Sequence, residues 1–204
     1  MDFLLATKNK HKIAEMDRIL APLGIRVMGE KECGVALPEV EETGTTFAAN
    51  ALLKARSACE ASGLPSIADD SGLCVDGLDG APGVRSARFA GEGHNDQDNI
   101  DKLLGLLADV PVGDPRRNAH FACAICCCFP DGSTVTAFGR CDGVIATVRH
   151  GDNGFGYDPV FLYGDQSFAQ MDGAAKDAVS HRGRALAAFA EKLKEKMGES
   201  HADK

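Results

Sequence analysis

The apolar positions of this chain change rhythm repeatedly, and each change marks an element. Phe3-Leu-Leu-Ala6 is a short apolar run that reads as a first strand. Ile13, Met16 and Leu20 then recur at helical spacing and predict a helix from Asn9 to Leu20, ended by Pro22 and Gly24. Ile25 to Met28 reads as a second short strand, and residues 29–45 as an acidic loop. Phe47 to Ala61 is the clearest helix. At about 100° per residue, Ala48, Ala51, Leu52, Ala55 and Cys59 form an apolar arc. Thr45 or Thr46 can cap it and Gly63 can end it. Asn50 and Lys54, four apart, share one edge of that arc, half buried.

Ser66 to Val75 carries Asp69-Asp70 where a short apolar strand is expected to give way to a loop. Residues 77–93, rich in Gly and Arg, read as a long loop, and 95–110 as a helix with Ile100, Leu103, Leu104 and Leu107 apolar. Strands are expected at 118–129 and 134–138, joined by Pro130-Asp-Gly-Ser133, a hairpin signal. A further short strand is expected at 143–147, a glycine-rich loop at 151–159 and a last strand at 160–163. Residues 180–197 read as the final helix, with 198–204 fraying. This alternation predicts an α/β fold with a mixed sheet. The 204 residues suit one domain, 1–204, or two tightly joined lobes.

Charge narrows the function. A net charge of −8 argues against a nucleic-acid or anionic-membrane surface, which needs a broad basic face. Positive charge is instead concentrated at Lys8, Lys10, His11 and Lys12. No apolar run is long enough to span a bilayer, and Phe3–Ala6 is too short for a signal core, so a cytoplasmic location is expected. The 8 cysteines fit a reducing compartment. Cys123 and Cys126 are formally C-x-x-C, but on a strand residues three apart face opposite ways and cannot share one metal.

Several groups are candidates for chemistry. Asp69 and Asp70 are hard oxygen donors suited to Mg²⁺, which shares its shell with water and substrate phosphates; the alternative is a turn, since Asp, Ser and Gly are turn formers. Thr7-Lys-Asn-Lys-His-Lys12 lies between a strand and a helix, where backbone N–H groups and lysines can receive an anion, although it is no Walker loop. Asn50 and Lys54 can reach a cleft, or be a snorkelling lysine beside an amide. Gly154-Phe-Gly-Tyr-Asp-Pro159 offers aromatic faces to a base, or packs its rings into the core. Lys176 and Ser180-His-Arg182 bring donors to the start of the last helix, or form an exposed basic turn. No covalent-nucleophile motif is present.

Taken in order, these fragments resemble the inosine triphosphate pyrophosphatase family, the non-canonical purine nucleoside triphosphate pyrophosphatases. The resemblance runs from Leu5-Ala-Thr-Lys-Asn-Lys-His-Lys12 through Glu41-Glu-Thr-Gly-Thr-Thr-Phe47, Asn50-Ala-Leu-Leu-Lys54 and Ala68-Asp-Asp-Ser-Gly-Leu73. It continues in Gly80-Ala-Pro-Gly83, Ser86-Ala-Arg88, Gly154-Phe-Gly-Tyr-Asp-Pro159 and Ser180-His-Arg-Gly-Arg-Ala-Leu186. Two departures stand out: Lys8 replaces a common glycine, and Ala174-Ala175 replace an acidic pair before Lys176.

The resemblance implies an elongated, two-lobed α/β molecule with a long central mixed sheet flanked by helices, its active site in the cleft between lobes. It implies a homodimer that uses Mg²⁺ to cut ITP, dITP or XTP to the monophosphate and pyrophosphate. Asp70 would be the catalytic base and a metal ligand, and Glu41 the other metal-site carboxylate, with Glu42 and Asp69 assisting. Thr7, Lys8, Asn9, Lys10, His11, Lys12 and Lys54 would meet phosphates. Ser71, Phe155, Gly156, Tyr157, Asp158, Lys176, His181 and Arg182 would form the nucleotide site, with Arg182 a candidate donor to a 6-oxo group. The competing readings are a phosphatase with a covalent aspartate, for which D-x-D spacing is missing, and a nucleotide sensor without turnover.

Overall fold

Strand β1 (Asp2–Leu5) leads through α1 (Lys10–Leu20) to β2 (Arg26–Met28), and a short α2 (Glu30–Cys33) and α3 (Phe47–Ser62) lead on to β3 (Ser66–Val75). α4 (Asp96–Leu106) precedes the long strands β4 (Asn118–Cys128) and β5 (Thr134–Ile145). Short strands β6 (Phe161–Tyr163) and β7 (Gln166–Ser167), then α5 (Gly173–Val179) and α6 (His181–Ala202), complete the chain. The computed structural model describes residues 2–93 and 95–202, with side chains as far as 198.

The strands form one sheet in the order β2-β1-β3-β4-β5-β6-β7. β1 is parallel to both β2 and β3, while β5, β6 and β7 pair antiparallel, so the sheet is mixed as expected. β1 is a switch point: the chain leaves it for β2 on one side and returns with β3 on the other. Right-handed crossovers in opposite directions put their helices on opposite faces. The packing shows this. Met16 and Leu20 of α1 pack with Phe3, Leu5 and Ile67, whereas Ala51, Ala55 and Cys59 of α3 pack with Ala68, Ala124, Cys126 and Cys128. Cys123 and Cys127 belong to the first cluster and Cys126 and Cys128 to the second, so the C-x-x-C pair is divided between the two faces.

The described chain divides into two compact units. The first takes the chain as far as Asp70, with Cys123–Gly139 and the segment from Arg182 onward; the second is Ser71–Ala122 with Arg140–His181. The core of the second is built from Leu73, Ile100, Leu103, Phe121, Phe161 and Phe168. There the guanidinium of Arg117, 3% exposed, donates to the carbonyls of Leu107, Val110, Ile145 and Ala146.

Three expectations change. β3 does not end at the Asp pair but runs to Val75, past the register of β1, which ends at Leu5 opposite Ile67. The strands expected at 134–138 and 143–147 are one strand, β5. Gly143 does not break it; its missing side chain admits a neighbour, since a Cβ there would lie 2.3 Å from the Leu162 carbonyl oxygen. Helix α5 was not signalled by any apolar periodicity. The stretch expected to fray, 198–204, is helix as far as Ala202, and Asp203 and Lys204 lie outside the described residues.

Candidate active site

The first unit holds two charge clusters on opposite faces of β3. Strand residues alternate, so Asp69 shares a face with Ile67 and Asp70 with Ala68. Asp69 therefore points to the α1 and α6 side. Its carboxylate is 2.9 Å from Lys12 Nζ and 3.4 Å from Arg182 Nη2, and only 1% of it is exposed. The Arg182 guanidinium also pairs with Glu15, itself buried on α1. Burial works against the charge on Arg182, but Asp69 and Glu15 outweigh it and push its pKa up. Arg182, expected to reach a base, is thus committed to two carboxylates.

Asp70 points to the α3 side. Lys54 Nζ lies 3.1 Å from Asp70 Oδ1 and 2.8 Å from Glu42 Oε1, bridging a strand carboxylate and a loop carboxylate. Asn50, fully buried, donates from Nδ2 to Asp70 Oδ2 at 3.2 Å, while its Oδ1 accepts the Gly44 N–H at 2.8 Å. That second bond fixes which way the amide faces. Gly44 is glycine for a local reason: a Cβ would stand 2.5 Å from Asn50 Oδ1. α3 positions both residues because Thr46 caps it and its small residues let it lie close on the sheet.

The electrostatics of this face are acidic. Burial raises the pKa of Asp70, and Glu42 raises it further against the opposing pull of Lys54. Burial depresses Lys54, but Asp70, Asp69 and Glu42 together lift it above its ordinary value. Both groups therefore hold a proton more tightly than usual, as they would in a site short of positive charge. Asp70 and Glu42 are hard oxygen donors and fit Mg²⁺, which commonly takes one or two carboxylates and completes its shell with water and phosphate. Asp69, on the other face and paired with two cations, stands outside that donor set. Glu41 is an exposed loop residue beside Glu42.

The Thr7–Lys12 loop departs from the expected anion cradle in its backbone. Asn9 caps α1, its Oδ1 accepting the N–H groups of His11 and Lys12, and its own N–H goes to Thr7 Oγ1. These donors are taken up locally. The loop's capacity for an anion rests more on Lys8, Lys10 and His11, whose side chains are exposed.

The second unit holds the aromatic loop. Asp158, 3% exposed, accepts the Phe155 N–H at 2.9 Å and pairs with Lys176 Nζ at 2.7 Å. Lys176 Nζ also stands 4.9 Å from the centroid of the Phe155 ring. Gly154 has φ +76°, and a Cβ there would meet Asp158 Oδ2 at 2.1 Å. Tyr157 is buried in the core, its hydroxyl donating to the Ser86 carbonyl at 2.8 Å; burial and then Asp96 raise its pKa. Ser71 is half-buried on β3. His181 is buried and stacked on Phe121, with ring centroids 4.6 Å apart.

Glu15 is the residue that sequence reasoning missed. Its signal was present: it lies three residues after Lys12 and next to the core residue Met16, hence on the inward edge of α1.

The chain matches the model of the Ham1 family over residues 3–192. It is 44% identical over 198 residues to the dITP/XTP pyrophosphatase of Streptomyces coelicolor, covering 96% of this chain and 98% of that one. It is 48% identical over 188 residues to the dITP/XTP pyrophosphatase of Desulforamulus reducens, covering 91% and 92%. Among solved structures, a HAM1 protein from Coxiella burnetii superposes with a TM-score of 0.84 at 39% identity, over 96% of this chain and 99% of that chain. With the family model matched over residues 3–192 and relatives 44% and 48% identical over more than nine-tenths of the chain, the chain belongs to the Ham1 family.

Proposed function

We propose that this protein hydrolyses non-canonical purine nucleoside triphosphates, ITP, dITP and XTP, to the monophosphate and pyrophosphate with Mg²⁺. The observation that carries the chemistry is the pair Asp70 and Glu42 on one half-buried lysine, Lys54. Support for the substrate class comes from the relatives named dITP/XTP pyrophosphatase.

Asp70 and Glu42, with Glu41 beside them, would hold Mg²⁺, which supplies charge neutralisation and an acidified water when bound. Phosphoanhydride hydrolysis needs alignment and charge compensation more than covalent chemistry. Lys54, kept protonated by its carboxylates, supplies positive charge beside the scissile phosphates. Water adds at phosphorus, the α–β anhydride bond breaks, and the water's proton passes to Asp70. Lys8, Lys10 and His11 meet the remaining phosphate charge. Asp69, Arg182, Glu15 and Lys12 hold the opposite face of β3 rigid.

In the second unit, Phe155 offers a face to the purine and Lys176 a donor to a 6-oxo group. A 6-amino group leaves that donor opposed by another donor, which costs about 1–3 kcal/mol, or about ten- to a hundredfold. The eight free thiols fit a cytoplasmic location, and the family resemblance supports a homodimer, which sedimentation velocity would test.

The deciding experiment measures pyrophosphate release from ITP, XTP, GTP and ATP, with Mg²⁺ and with a chelator. Metal-dependent pyrophosphate from ITP and XTP with little from GTP or ATP is expected. Orthophosphate as product would replace this reading with a phosphatase, and tight binding without product with a sensor.

A further inference from the structure

The aromatic loop is tied to the first turn of α4. Asn95 caps that helix, accepting the N–H groups of Gln97 and Asp98 at its Oδ1. Asp96, the first helical residue, is thereby presented outward, and its Oδ2 accepts the Gly156 N–H at 2.8 Å. Gly156 lies between Phe155 and Tyr157 and has φ +60°, a conformation open mainly to glycine, so the loop is intrinsically most free where the bond is made.

The Tyr157 side of the loop is anchored separately. Its hydroxyl donates to the Ser86 carbonyl. The Ser86 Oγ accepts the Leu73 N–H at 2.9 Å and donates to the Gly83 carbonyl at 2.6 Å. Asn99, one turn along α4 from Asp96 and 2% exposed, accepts the Ala90 N–H at 2.7 Å and donates to the Ala87 carbonyl at 3.1 Å. The Asp158 side is held by Lys176. The peptide plane joining Phe155 to Gly156 is held at both ends: its carbonyl accepts the Asp158 N–H at 3.3 Å, and its N–H is taken by Asp96 in the shorter bond.

We propose that Asp96 is a positioning residue for purine recognition: it holds the 155–156 peptide so that the Phe155 ring keeps the orientation in which it meets the base. The inference rests on the reading that Phe155 takes the purine. A carboxylate accepting a backbone N–H is a charge-assisted bond, stronger than a neutral one. Without it the loop samples other orientations, and binding must bear the entropy of ordering it. The effect falls on substrate binding, because the reacting phosphorus is served by residues of other elements. Asn at this position keeps an acceptor oxygen; Ala does not.

The test compares Asp96→Ala, Asp96→Asn and Phe155→Ala for kcat and KM with ITP and XTP. Amide hydrogen exchange of the peptide covering 153–158 is followed in the nucleotide-free proteins. Asp96→Ala is expected to raise KM about three- to tenfold with kcat within about twofold, and to speed exchange in that peptide. Asp96→Asn should restore both. An unchanged KM in Asp96→Ala beside a raised KM in Phe155→Ala would overturn the proposal while sparing the base assignment. So would a loss confined to kcat, or an Asn variant as impaired as Ala. An unchanged KM in Phe155→Ala would overturn the base assignment itself, and the role of Asp96 with it; the exchange rates would still report whether the tether orders the loop.

Discussion

Asp69 and Asp70 are neighbours in β3, yet they face opposite sides of the sheet and answer to different cations: Lys12 and Arg182 for the first, Lys54 for the second. A sequence motif that reads as one acidic pair is two sites with two roles. The roles separate in the behaviour of substitutions.

Asp70→Asn removes the carboxylate proposed as proton acceptor and metal ligand. Turnover should fall by about 10²–10⁴ while nucleotide binding is largely retained. Steady-state kinetics and equilibrium binding of ITP check this, and wild-type-like turnover would refute the role.

The same variant should gain stability. Burial and Glu42 hold the Asp70 carboxyl above its ordinary range, so the folded state binds this proton more tightly than the unfolded chain. Its contribution is present at acid pH and lost as pH rises through the folded-state value. In metal-free buffer at neutral pH, Asp70→Asn should therefore melt higher than the parent, with the gain vanishing toward the ordinary carboxylate range. Melting curves across mild acid to neutral pH, in chelator, measure it.

Asp69→Asn should do the reverse. It takes one carboxylate from a buried guanidinium and removes the carboxylate that pairs with Lys12. Breaking a buried pair costs about 3–5 kcal/mol. For a chain of this size that is a fall in Tm of about 6–20 °C. Equal melting temperatures for the Asp69 and Asp70 variants would contradict the two-face description.

Arg117→Met should be among the most damaging single changes in the second unit. Four carbonyls lose a guanidinium donor at once, although that of Leu107 keeps the Val110 N–H. Each buried unsatisfied acceptor costs about 1–3 kcal/mol. Loss of soluble protein, or a large fall in Tm reported by circular dichroism, is the expected result; a change under about 1 kcal/mol would show that water replaces the guanidinium.

Phe155→Ala should raise KM for all purine nucleotides alike, by about 1–3 kcal/mol of lost stacking, with little change in the preference for ITP over ATP. Competition among ITP, XTP and GTP separates this from a change in selectivity, which would point to Lys176 instead.

Much of this was legible in the chain. The spacing of Ile13, Met16 and Leu20 placed α1 within a residue of its start, and the expected caps, Thr45 or Thr46 and Gly63, placed α3 nearly to the residue; that Asn9 caps α1 is seen only in the structure. The period of two in β4 separated the cysteines correctly. What was not legible is tertiary. The continuation of β3 depends on pairing with strands distant in sequence, and local composition at Ser71-Gly72 points instead to a turn. The union of two expected strands in β5 depends on the close approach of Leu162 and Phe161 to Gly143. Arg182 looks like a free donor in sequence, because its partners Glu15 and Asp69 lie 167 and 113 residues away. Helix α5 is short and weakly patterned, and is fixed by its Asp172 cap and the Lys176–Asp158 pair.

The alternation of β3 sets how this site can vary through time. Side-chain substitution can tune either face independently, but a single-residue insertion or deletion between Ile67 and Asp69 would move each carboxylate to the opposite face. Asp70 would then face the side of Arg182, and Asp69 would meet Lys54. Length at this point of the chain is therefore under tighter constraint than identity, and drift in this region should proceed by replacement and not by gaps.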